Sequence, residues 1–471
     1  MTGPAAEASS IPAEAGPATD LRSRRREQRG WYFYDWANSA YVTTIGTVLL
    51  GPYLISVAER AACGFASDET RTCSTNVHLL GIPVAPGSLP LYLVTASTLL
   101  SAVLLPLVGA VADRARSKRR QLAAYAWIGA AAAMCLVFVS GTNWQLGALC
   151  QFVANIALAA SLVVYDAILC EVATPDERDR VSSRGWALGY LGGGLLLAVN
   201  LGLVLGAETL GISTGTAVRI GMFSAGLWWG AFTLVPFLTI RDRPPVRLVV
   251  EVARTHRRGT QSFHQLVVTM RDLRRYPVAL AFLTAYLFFN DGIQTVISAA
   301  AIYADKQLFL SETIQITTIL LVQFVAFGGA LVFGRLAGRF GAKRVIARSL
   351  VAWMAVVVAG YFLPVKQVVP FLALAVAIGI VLGGTQALSR SFYSQLIPAG
   401  RQAEFFSLYQ ACERGTSWLG TLVFGLVHQL THSYRPAIAA LVVFFAIGGL
   451  LLLRVNPAEG IRQAQQAPAQ S

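Results

Sequence analysis

Tyr34-Asp35-Trp36-Ala37-Asn38-Ser39 opens the first long apolar run of the chain, directly behind the arginine cluster Arg22 to Arg29. Asp35 and Asn38 are three residues apart and so share one face of a helix. An acid and an amide at the mouth of an apolar run are costly in lipid, and a chain that keeps them there has a use for them. A second stretch, Asp291-Gly292-Ile293-Gln294-Thr295, repeats the order acid, two residues, amide, hydroxyl inside a later apolar run. The two copies read as paired polar features of a duplicated membrane protein.

The rest of the chain fits that reading. Of its 471 residues, 55% are hydrophobic and 13% charged, which excludes an ordinary soluble domain. About twelve apolar stretches reach the roughly 20 residues a helix needs to cross a bilayer, the first over Tyr34 to Ala58 and the eleventh over Phe405 to Leu430. The expected fold is an all-α polytopic membrane protein with two six-helix halves related by pseudo-two-fold symmetry. The net charge of +14 raises the question of nucleic acid, and its distribution answers it. With alternate loops assigned to opposite sides, 31 of the 38 basic residues fall on the face of the amino terminus, Arg390 and Arg401 among them. That is the positive-inside bias of a membrane protein with both termini cytoplasmic, and the expected location is the plasma (inner) membrane. No basic run is interleaved with stacking aromatics, so no nucleic acid is expected as a partner.

Two further landmarks repeat. Gly109 with Asp113 and Arg114 closes the second span, and Gly334 with Gly338 and Arg339 closes the eighth; Pro175 and Pro398 follow the fourth and tenth. The offsets are 225 and 223 residues, which argues for two halves. The expected organisation is a disordered basic tail over 1–30, a six-helix half over 31–240, a cytoplasmic linker over 241–277, a second half over 278–454 and a tail over 455–471. In the glycine-to-arginine pattern, glycine lets a span pack closely, the acid caps or pairs near a helix end, and the cations sit at the headgroups. Gly109, Asp113, Arg114, Gly334 and Arg339 are therefore latch candidates, although Gly338 stands where the second copy would carry its acid. An ordinary positive-inside loop is the plainer reading of the cations.

These features resemble the major facilitator superfamily. More narrowly, residues 34–39 with Gly51-Pro52-Tyr53, Arg178-Asp179-Arg180-Val181-Ser182 with Arg184-Gly185, and Asn290-Asp291-Gly292-Ile293-Gln294-Thr295 are similar to its vacuole-effluxer family over about Trp31 to Leu453. The resemblance implies a secondary active transporter working by alternating access. Because eukaryotic members are associated with amino-acid release from vacuoles, it makes amino acids the leading guess among small polar or zwitterionic solutes. Trp186 stands where tyrosine would be expected.

Polar residues inside the spans are the candidates for the site. Asp291, about 14 residues past Pro277, falls near mid-membrane at a rise of about 1.5 Å per residue; it is a candidate for proton coupling, for binding an amine, or for a purely structural hydrogen bond. Asn38, Gln294 and Thr295 are contact candidates by motif. Asp35, six residues after Arg29, reads as a gate or cap in the first turns of its helix, paired with nearby arginines. Glu413 and Arg414 are adjacent and point about 100° apart; Arg414 could fork a solute carboxylate or neutralise an acid on another helix, and Glu413 reads as nearer the inner surface. Asp166 reads as part of the cytoplasmic latch. Gly185-x-x-x-Gly189-x-x-x-Gly193 and Gly379-x-x-x-Gly383 read as close-packing seams.

Cys63 and Cys73 share the one long outer loop, where either a disulfide or two free thiols would fit. There is no P-loop, no histidine pair at metal spacing and no nucleophile–base arrangement, so neither an enzyme, a metal site nor a cofactor is expected. The expected partners are the lipid bilayer, a small-molecule substrate and a coupling proton or sodium ion, for a monomer. The competing reading is a non-transporting membrane sensor or partner-binding protein that retains the transporter fold; a linker of about 37 residues holds no sizeable soluble domain and favours the carrier.

Overall fold

The computed structural model describes residues 21–67, 73–79, 81–243, 274–415 and 417–466. Helices carry the fold in chain order: α1 (Leu21–Cys63), α2 (Leu89–Arg114), α3 (Lys118–Phe138), α4 (Trp144–Val172), α5 (Pro175–Leu205) and α6 (Thr214–Thr239) in the first half. The second half contains α7 (Pro277–Gln307), α8 (Glu312–Phe340), α9 (Ala342–Tyr361), α10 (Val368–Gln395), α11 and α12 (Tyr434–Arg454). Among the described residues eleven helices are long and apolar enough to span a membrane. The stretch expected as the eleventh span is described as Gln402–Gly415 and Ser417–Thr431, either side of residue 416, which lies outside the described residues; the two are called the segments of α11.

Large apolar side chains such as Leu99, Val199, Leu205 and Val369 stand exposed on the outside of the bundle, the surface that lipid covers. Small residues let the helices inside approach each other. On α5 a Cβ at Gly185 would lie 2.6 Å from Asp35 Oδ2, at Gly189 2.7 Å from Ser39 Oγ, and at Gly193 2.6 Å from Thr43 Oγ1. On α10 the Cβ of a residue at Gly383 would lie 2.2 Å from the Ala326 carbonyl oxygen of α8. Both glycine series therefore form the close seams their spacing suggests.

Three differences from the sequence expectation have local causes. α1 begins at Leu21, not at Tyr34, so Leu21–Gly30 is helix rather than tail. Its first turns are tied down by polar bonds: Glu27 accepts from Arg243 Nη2 at 2.6 Å and from the Arg241 amide, while Gln28 donates to the Val172 carbonyl. A π-helical stretch, Tyr41–Leu49, interrupts α1 just before Pro52, a residue that cannot donate to the preceding turn. At the other end Pro457–Gln465 forms α13, capped by Asn456, with Gly460 against Leu396 and Val278. Residues 1–20 and most of the expected linker, 244–273, lie outside the described residues.

Between α1 and α2 a disulfide joins Cys63 to Cys73, and β1 (Val77–Leu79) pairs antiparallel with β2 (Ile82–Val84) in the register Val77 opposite Val84. This loop sits on the face opposite the cation clusters.

The two halves meet unevenly. α5 packs along α8 and α10, and the first segment of α11 packs on α2 and α4. The second segment, Ser417–Thr431, packs on α7 and α12 of its own half. The polar fastenings between halves gather toward the basic face: Arg178 Nη1 donates to the Ser394 carbonyl at 2.7 Å, and Ser391 Oγ to Asp179 Oδ1 at 2.7 Å. Farther from that face, Gln323 of α8 donates to Thr43 Oγ1 of α1 at 3.1 Å.

Candidate functional site

Asp113 shows how the basic face is shut. It ends α2, and its two carboxylate oxygens accept the backbone amides of Ala403 and Glu404 at 3.0 and 2.9 Å. Those amides belong to the first turn of α11, whose N–H groups have no partner within the helix, and the carboxylate also sits well against the positive end of the helix dipole. Gly109 makes the approach feasible, since a Cβ there would lie 2.5 Å from the Ala403 carbonyl oxygen. Lys118 holds the acid from behind at 3.6 Å. In the second copy Gly334 does the same steric work against Ser183 of α5, without a carboxylate. Arg114 and Arg339 are exposed and stand outside the fastening, as the plainer reading of those cations has it.

One layer deeper lies a buried charge cluster. Asp35 is 14 residues into α1, about 21 Å along its axis. This corrects the reading of Asp35 as a first-turn cap paired with Arg22 to Arg29. Its partner is Arg390 of α10, whose Nη2 donates to Asp35 Oδ2 at 3.0 Å. The guanidinium also donates from Nη1 to Asp166 Oδ1 at 3.4 Å, from Nε to Ser182 Oγ at 2.9 Å and from Nη2 to the Ser182 carbonyl at 3.1 Å. It lies over the rings of Trp31, Tyr165 and Trp186, 4.8, 5.3 and 5.4 Å from their centroids. Arg390 is 3% exposed and Asp166 1%.

The cluster continues into α11. Gln410 Nε2 donates to Asp166 Oδ2 at 2.8 Å and to Glu413 Oε2 at 3.2 Å, and Arg414 Nε reaches Gln410 Oε1 at 3.5 Å. Glu413 is therefore part of the charge cluster, not a residue of the inner surface. The structure thus brings Asp35, Asp166, Glu413 and Arg414 together around Arg390, which the charge count had set on the basic face. Arg390 is five residues before the end of α10 at Gln395, more than a turn inside it, and lacks the neighbouring cations that mark the headgroup loops. That isolation was the available signal.

The second acid–amide copy lies elsewhere. Asp291 is fully buried and accepts the Gly420 amide at 2.8 Å. Gly420 lies in the α11 segment Ser417–Thr431. Asp291 thus ties α7 to α11 within its own half. Thr295 is buried beside it, where a Cβ at Gly420 would lie 2.2 Å from Thr295 Oγ1. Asn290, preceding the acid, donates to the Glu413 carbonyl at 2.9 Å and accepts from Gln386 at 2.9 Å. Gln294 is half-buried, and Asn38 donates back to the Tyr34 carbonyl of its own helix at 2.7 Å. The hydroxyls confirm the duplication: Ser39 meets Gly189 across α1–α5 as Thr295 meets Gly420 across α7–α11. The carboxylates have diverged, one reaching across the halves and one staying within.

The fold of two helical bundles recurs in known proteins. The profile of the family described as vacuole effluxer Atg22 like covers residues 23–465. The chain belongs to that family. It is a polytopic membrane transporter of the major facilitator fold, as the motifs of residues 34–39 and 290–295 suggested. It is 29% identical to the MFS-type transporter YxiO of Bacillus subtilis, across 94% of this chain and 97% of that one. It is 24% identical to autophagy-related protein 22-1 of Penicillium rubens, across 95% and 93%. In fold it is similar to the E. coli fucose:proton symporter FucP, with a TM-score of 0.65, 13% identity and coverage of 93% and 99%. It is likewise similar to the proton:xylose symporter XylE, with a TM-score of 0.67, 12% identity and coverage of 92% and 95%. Membership in a family of vacuole effluxers overturns the expected placement in the plasma (inner) membrane. Loop charge orients a chain in whichever membrane it enters and carries no address for that membrane.

Proposed function

We propose that this transporter moves a small zwitterionic solute, amino acids foremost, by exposing one central site alternately to the two faces of the membrane. The observation that carries the reading is the Arg390 cluster. A guanidinium of one half is held by two carboxylates of the other, Asp35 and Asp166, beneath a face fastened by Asp113. Buried charge of this kind marks a solute pathway, and both signs of charge are what a zwitterion needs. Three acids share the cluster with two arginines, Arg390 and Arg414, which leaves a place for a coupling proton. Asp291 supports the second α11 segment and is not the coupling residue in this reading.

Counterflow in proteoliposomes tests it. Vesicles preloaded with unlabelled amino acid should accumulate the labelled compound, and an imposed proton gradient should raise that accumulation. A well-folded preparation that exchanges none of a broad panel of amino acids would refute the solute class.

A further inference from the structure

The surroundings of Arg390 are divided between the halves in an informative way. Both carboxylates that pair with it and all three rings that face it belong to α1, α4 and α5. These walls are held in place without the arginine. Trp31 and Tyr165 stack at 4.3 Å with 12° between their planes, and Trp31 Nε1 donates to the Tyr165 carbonyl at 2.9 Å. Trp186 leans on Tyr190 with centroids 5.6 Å apart. Gly185 leaves the floor open, since a Cβ there would lie 2.6 Å from Asp35 Oδ2, 2.8 Å from Trp31 and 3.1 Å from the Tyr165 hydroxyl. The first half thus carries a ready-made cage of two carboxylates and three π faces, the chemistry that selects a cationic nitrogen.

Arg390 rides on the other half. When the halves part at the basic face, α10 withdraws from α5 and takes the guanidinium with it. Two buried carboxylates without a cation are unstable, so the vacated cage demands another positive group.

We infer that the cage formed by Trp31, Asp35, Tyr165, Asp166 and Trp186 is a binding site for a cationic nitrogen group of the solute, a primary ammonium or a guanidinium, and that Arg390 is its tethered competitor. In the state seen here the chain occupies its own site. Opening of the basic face frees it. The inference rests on the alternating-access reading above and adds to it the group by which the solute is held.

The test has two arms. In the first, purified Arg390→Ala is unfolded thermally in the presence of methylguanidinium, methylammonium or tetramethylammonium. Methylguanidinium and methylammonium should raise the midpoint of the variant with a saturable dose dependence and raise that of the wild type, where they must compete with Arg390, much less. Tetramethylammonium, which has no N–H to donate, should do much less. If Arg390→Ala cannot be purified, Arg390→Gln in the same assay preserves side-chain bulk while removing the charge.

The second arm uses the otherwise intact protein with Ser183→Cys as reporter, a position buried against Gly334 in the seam that opens. In a background without the four free cysteines, arginine or agmatine should raise maleimide labelling of that cysteine several-fold. Trp186→Ala should shift the half-maximal concentration upward about tenfold, as loss of one desolvated cation–π contact of about 1–2 kcal/mol implies. Labelling that rises on acidification but never with any cation would overturn the inference, because protons alone would then neutralise the cage. So would a stabilisation of Arg390→Ala that all three cations share equally. Labelling that stays unchanged with arginine, with agmatine and on acidification alike would show that the seam does not open, and would remove the alternating-access reading itself and the inference with it.

Discussion

Replacing Asp113 by alanine isolates the fastening of the basic face. The carboxylate accepts two backbone amides, those of Ala403 and Glu404, at 3.0 and 2.9 Å, and its side chain is 8% exposed. A hydrogen bond to a charged group contributes roughly 1.5–3 kcal/mol net. The lower end applies here, because Lys118 already neutralises part of the charge and the site borders water. Two such bonds give about 3 kcal/mol, and the loss falls on the closed state alone, since water solvates the same amides once α2 and α11 separate. At about 1.4 kcal/mol per tenfold, the equilibrium should shift by roughly two orders of magnitude toward opening at the basic face. The assay is the labelling rate of Ser183→Cys in membranes with and without Asp113→Ala. An increase of tenfold or more is expected, with Asp113→Asn between the two because an amide keeps one acceptor. An unchanged rate in a folded Asp113→Ala protein would show that the fastening contributes nothing, and the magnitude argued from these bonds would be wrong.

Three other outcomes follow from the geometry. Asp291→Ala deprives the Gly420 amide of its acceptor and should lower the thermal midpoint in detergent by the equivalent of about 1–3 kcal/mol, whereas Asp291→Asn should retain concentrative transport; loss of coupling in the Asn variant alone would restore the acid as a proton carrier. Gly189→Val forces a side chain into Ser39 and should cost about 1–3 kcal/mol of stability through overpacking, with transport lost before folding is; normal transport rates in that variant would contradict the seam. Digestion without reductant should release the Cys63 and Cys73 peptides as one species that separates on reduction, and two alkylated peptides without reductant would refute the bond.

The fold was readable because a bilayer imposes strong rules: apolar length gave about twelve spans, loop charge their sidedness, and the two repeat offsets the division into two halves. The site was readable only in part. Asp35, Asp166, Glu413 and Arg414 stood out as charges inside spans, but pairing depends on which helix faces which, and a local pattern does not hold that information. Asp35 and Asp291 share a motif yet differ in partner, because one faces α10 across the halves and the other faces α11 beside it. Arg390 was missed for a different reason. A count of loop cations assigns each arginine to the nearest face, and one set more than a turn inside a helix end is counted with the rest. The start of α1 was misplaced because arginines suggested a solvated tail, while Glu27 and Gln28 bury themselves against the ends of α4 and α6.

The two ends of α11 answer to different halves, and that has a mechanical consequence. Gln402–Gly415 packs on α2 and α4 of the opposite half, while Ser417–Thr431 stays with α7, tied there by Asp291. Parting of the halves at the basic face therefore strips contacts from the first stretch and leaves those of the second in place. The helix is hung like a door, with its hinge at the Asp291 end and its free edge at Ala403 and Glu404, so a small tilt at the hinge becomes a wide displacement where Asp113 holds it shut.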